Sequence, residues 1–114
     1  TLECSVNVTL MWEDSLPMSY WKMHRLNRRL EKKFKLDRGA VWSHRGRHLV
    51  IVSFTLPETE AITPTWLGEA IAECLEIGEN QPHQALIERT DRHAMPRIEF
   101  WELPHTSPWA KLQL

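Results

Sequence analysis

Five consecutive residues, His44-Arg45-Gly46-Arg47-His48, put two imidazoles and two guanidiniums around a single glycine. Imidazoles can serve as general acid and base, and guanidiniums can steady a phosphate's charge. The chemistry within reach is metal-independent cleavage of a phosphodiester, or simple retention of one. The spacing is unspecific for a ribonuclease, so retention is the reading carried forward. A metal site does not fit. Arg45 and Arg47 would repel a cation from His44 and His48, and the six histidines (His24, His44, His48, His83, His93, His105) include no His-x-His pair.

Other catalytic signatures are missing. Gly39, Gly46, Gly68 and Gly78 stand singly, so no glycine-rich loop is present to cradle phosphates. There is no Gly-x-Ser-x-Gly. Cys4 and Cys74 lack metal-ligand spacing, and Cys74 falls on an apolar stripe where it reads as a core residue. The expectation is a non-enzymatic chain with no metal and no cofactor. Both thiols read as reduced, which implies a cytoplasmic setting.

The charge is divided along the chain. Residues 22–48 hold ten basic side chains against Glu31 and Asp37, a net of +8, while the remainder has four basic against thirteen acidic, a net of −9. The overall −1 hides that dipole. A basic face of this density attracts phosphates or an acidic protein surface. No apolar run is long enough to span a membrane, and no basic stretch followed by an apolar one marks a signal peptide. The 114 residues suit one domain over 1–104, followed by a tail at 105–114.

The elements that must carry these side chains follow from periodicity. Val6, Val8, Leu10 and Trp12 alternate with polar neighbours, which predicts a half-buried strand. From about Pro17 to Lys35 the period becomes helical, with Met23, Leu26, Leu30 and Phe34 on one stripe and Lys22, Arg25, Arg29 and Lys32 or Lys33 opposite. Cations at that spacing repel one another, so either solvent tolerates them or an anionic partner offsets them. Val41–His44 and Arg47–Leu56 read as a hairpin with a basic tip. Its second arm, Leu49–Phe54, is apolar on both faces, as for a covered central strand.

Thr63 reads as an N-cap with Pro64 at the first position of a second helix. That helix buries Trp66, Leu67, Ala70, Ile71, Cys74 and Leu75 and turns Glu69, Glu73 and Glu76 outward. Gln84–Arg89 and Arg97–Leu103 read as two further strands. The order β-α-β-β-α-β with an added strand predicts a ferredoxin-like α+β sandwich, two helices on one face of an antiparallel sheet.

That fold hosts many functions. A domain of the RNA-recognition-motif kind would offer aromatics from its middle strands. Here Leu49 and Ile51 stand at those positions and Asn7 is not aromatic, so no membership follows. Nucleic-acid contact is expected instead from Lys22, Arg25, Arg28, Arg29, Lys32, Lys33, Arg45 and Arg47, with Trp42, His44 and His48 beside them to stack or touch phosphate. Trp42 reads first as a packed strand residue and second as a stacking platform. The alternative is a protein-binding subunit, adaptor or inhibitor that grips an acidic protein or self-associates, with Trp109, Leu112 and Leu114 of the tail docking on their own domain or on a partner. Nucleic-acid phosphates stand ahead of that alternative because two separate elements supply the charge.

Overall fold

The computed structural model describes residues 4–13, 19–76, 79–90 and 95–103. The tail residues Trp109, Leu112 and Leu114 lie outside them. The chain is α+β, and its described residues form two helices and a five-stranded antiparallel sheet. The elements are β1 (Ser5–Glu13), α1 (Tyr20–Lys33), β2 (Trp42–Arg45), β3 (Leu49–Pro57), α2 (Pro64–Cys74), β4 (Gln84–Thr90) and β5 (Arg97–Glu102). Strand order is β2-β3-β1-β4-β5, so β1 is central and β2 and β5 are the edges.

The alternation in β1 decides which face is buried. Val6, Val8, Leu10 and Trp12 pair with Leu56, Phe54, Val52 and Val50 of β3. With Ala85 and Ile87 of β4 they form one side of a single core. Met23, Leu26 and Leu30 of α1 and Leu67 and Ile71 of α2 form the other side, which places both helices on one sheet face. The Trp12 indole satisfies its polar end by donating to the Asn80 carbonyl at 2.8 Å.

Among the described residues the opposite face has no helix. At its centre Asn7, Thr9, Ser53 and Thr55 form a polar ladder, with Asn7 Nδ2 donating to Thr55 Oγ1 at 3.0 Å and the Thr9 and Ser53 hydroxyls 3.3 Å apart. So β3 is not covered on both sides by apolar packing. Its Leu49 is exposed and Ile51 is half-buried on the open face.

Both helix starts are local. Ser19 caps α1 by accepting from the Lys22 N–H at 3.3 Å, so the helix begins at Tyr20 rather than near Pro17. Thr63 caps α2, with Pro64 at its first position. The α1 C-terminus closes with Leu36 N–H donating to Glu31 O at 2.8 Å and Lys35 N–H to Lys32 O at 3.4 Å, the Schellman arrangement. Lys35 takes the left-handed position, φ 56°, where glycine is the usual residue. Among the described residues no helix is long and apolar enough to cross a membrane.

Candidate nucleic-acid interface

The basic helix first meets acids of its own chain. Arg29 pairs with Glu76 and also donates to the Cys74 carbonyl at 3.3 Å. Arg25 reaches the same Glu76 at 3.4 Å, and Lys33 pairs with Glu73. Glu73 beside Lys33 raises that ammonium's pKa. The cation row at 25, 29 and 33 is thus offset by the second helix and the residues just after it. Solvent and an external anion are not needed for that. Cys74 lies in the same seam, where burial pushes its thiol up to about 11, as for an inert core sulfur.

This changes what Arg29 is for. Arg29→Glu would set a carboxylate beside Glu76 and release the Cys74 carbonyl. The expected cost is about 1–2 kcal/mol of stability, read as a lowered urea midpoint at unchanged slope.

Arg28 faces the other way. Its Nη1 donates to Glu31 Oε1 at 2.8 Å. Glu31 is a buried carboxylate whose second oxygen accepts from the Gly39 N–H at 2.7 Å and the Val41 N–H at 3.4 Å. Burial alone would raise its pKa, but the Arg28 bond and the two backbone donors outweigh that and hold it below the ordinary value of 4.5. Arg28 and Glu31 therefore fasten the 36–41 connection that leads into β2.

The hairpin tip meets α1 at the helix N-terminus. The Arg45 guanidinium lies over the Tyr20 ring, 5.3 Å from its centroid. Asn27 Nδ2 donates to Ser43 Oγ at 3.2 Å, and the buried Asn27 Oδ1 has no partner. Between the two elements lies a shallow pocket of about 380 Å³ lined by Tyr20, Trp21, Met23, His24, Asn27 and Ser43. Tyr20 is 72% exposed and Trp21 77% exposed. On the open face of the same edge strand, Trp42 is 55% exposed and His44 is also exposed. Trp42 is opposite Ser53, and His44 is opposite Ile51. Trp42 is therefore a surface ring and not a packed strand residue.

The expected site residues thus divide into two sets. Arg45, Trp42 and His44 are on the edge strand β2, with the exposed Arg47 and His48 in the connection to β3. Lys22, in the first turn of α1, falls on the row of Arg25, Arg29 and Lys33 and not on the side that meets β2. Arg25, Arg29 and Lys33 lie on the flank that meets α2, and Arg28 is engaged with Glu31. Lys32 is exposed in the last turn. Among the described residues, Lys22, Lys32, Arg45 and Arg47 have no carboxylate partner.

Sequence reasoning missed Tyr20, Trp21, His24 and Asn27. The signal was present, because two adjacent aromatics that fall outside the stripe of Met23, Leu26 and Leu30 must be exposed on a helix. Among the described residues, no group of three or more His, Cys, Asp or Glu is placed to hold a metal ion. No family model matches this chain, and neither a curated protein nor a solved structure does.

Proposed function

We propose that the chain is a non-enzymatic binding protein that holds a single-stranded nucleic acid at the free edge of β2. One observation carries the reading: the Arg45 guanidinium lies over Tyr20 and so joins the basic hairpin to the exposed rings Tyr20 and Trp21 at the start of α1, while the exposed Trp42 stands on the other face of the same edge strand. Sequence-independent recognition of single strands uses this combination, cations along the phosphates and rings under the bases. Arg45 and Arg47 supply the charge, with His44 and His48 on the same hairpin. The polar ladder at the centre of the open face offers no ring for a base, which favours the edge over the sheet face.

The ferredoxin-like reading of the fold is supported by the order β2-β3-β1-β4 of the first four strands, with β5 as an addition outside β4.

Fluorescence anisotropy with a labelled single strand and with the matching duplex tests the function. The single strand should bind more tightly at low salt, because rings reach bases only when these are unstacked. Equal binding of both forms would leave only phosphate attraction, and no binding of either would remove the proposal. The second reading, a protein partner, is favoured by a different observation at the other edge of the sheet: Ile98 and Phe100 are exposed on β5.

A further inference from the structure

We propose that β5 pairs antiparallel with β5 of a second copy of this chain, joining two sheets into one of ten strands. The inference is independent of the nucleic-acid reading and uses the opposite edge of the molecule. Three features of the strand support it.

The first is a free backbone. Among the described residues β5 is hydrogen-bonded on one side only, to β4. Leu103 N–H donates to His83 O, so by the two-residue alternation of a strand the backbone groups of Arg97, Glu99 and Trp101 turn toward β4. Those of Ile98, Phe100 and Glu102 turn outward. Such a row is a template for another strand.

The second is apolar surface in the right place. Phe100 and Ile98 are opposite Leu86 and Glu88 of β4, on the face without helices. They are 69% and 61% exposed. Two large side chains two residues apart on an edge strand form an apolar strip that water leaves unsatisfied.

The third is that the strand complements itself. In a two-fold pair centred on Glu99, Ile98 stands opposite Phe100 of the second copy, twice, an aromatic and β-branched pairing that stabilises sheets. These are the outward-facing residues, so each pair exchanges two backbone hydrogen bonds. On the other face Arg97 stands opposite Trp101 of the second copy and diagonal to its Glu99. The two central Glu99 carboxylates face each other, and each is held by its own Arg89, whose Nε donates at 3.0 Å. The β2 edge has no such complement, because self-pairing there would bring Arg45 and Arg47 of two copies together. A second copy is thus the occupant that the residues of β5 fit, with the basic β2 edges left at the two far ends.

Sedimentation velocity on the full chain should show a species of twice the 13.5 kDa mass, building up over about 1–200 µM, the range of a small interface. Phe100→Lys should return it to the monomer across that range with its circular dichroism unchanged, because the side chain is outside the core. The register has its own test in a Cys4→Ser background. Glu99→Cys should form a disulfide-linked dimer on mild oxidation, since opposed non-hydrogen-bonded residues have Cα atoms about 4.5 Å apart. Ile98→Cys should not. A monomer at every concentration would overturn the proposal, whether β5 stays bare or is covered by residues 104–114. A dimer that survives Phe100→Lys, or that fails to cross-link through Glu99→Cys, would also overturn it.

Discussion

Glu31→Gln should lower the stability of the folded chain by about 2 kcal/mol, read in urea unfolding as a lower midpoint at constant slope. The change keeps the size of the side chain and removes its charge. Arg28 then loses its carboxylate partner, and an amide nitrogen can turn toward the Gly39 and Val41 N–H groups that Glu31 now accepts from. For a domain of this length the thermal midpoint should fall by roughly 8 °C.

The same variant has a predicted pH dependence. The folded-state pKa of Glu31 lies below the ordinary 4.5. Its contribution is therefore complete above that ordinary value and is lost as pH falls through the lower folded value. The gap in stability between the native chain and Glu31→Gln should be widest at neutral pH and should close as pH falls below about 4.5. A gap that stays constant down to pH 3 would mean that the Glu31 carboxylate's charge is not what fastens the 36–41 connection.

The second large effect is on binding. Arg45→Ala with Arg47→Ala should weaken the complex with a single strand and reduce the slope of log K against log salt by about 1.4, or 0.7 for each phosphate no longer neutralised. Trp21→Ala should weaken it by about tenfold or more while leaving that slope unchanged, because a stacked ring displaces no counterion. Arg45, Arg47 and Trp21 are all exposed and Arg45 loses only its contact with the Tyr20 ring, so neither variant should shift the unfolding free energy by more than about 1 kcal/mol. The opposite pattern, a changed slope for Trp21→Ala and an unchanged one for the double variant, would reverse the assigned roles.

What was legible in the sequence depended on how far apart the interacting residues are. The alternation of Val6, Val8, Leu10 and Trp12 and the Thr63-Pro64 helix start are local signals, and both are found in the fold. The offset of the α1 cations was not legible. Glu76 lies 47 residues beyond Arg29, and only packing of the two helices brings them together. Periodicity therefore gave one basic stripe where the molecule has an internally paired flank and a separate exposed end. Glu31 reads in the sequence as one of two acids opposing the basic segment, but the Schellman turn and the 36–41 connection fold over it and bury it. Trp42 was misplaced because strand propensity favours a packed tryptophan, whereas β2 is a four-residue edge strand that directs it to the face without helices.

The charge dipole of the sequence thus has two parts in the folded chain. One part joins α1 to α2. The other part, Arg45 and Arg47 on the hairpin whose Arg45 lies over Tyr20, carries the proposed function.

The most direct measurement is a titration of the ¹⁵N-labelled chain with a short single-stranded oligonucleotide, followed by amide and indole chemical shifts. The shifts should gather on Tyr20, Trp21, His24 and residues 42–48, with the Trp21 and Trp42 indoles moving and the buried Trp12 indole still. Shifts centred on Ile98 and Phe100 or on the α1–α2 seam, or none at low salt, would contradict a nucleic-acid site at the β2 edge.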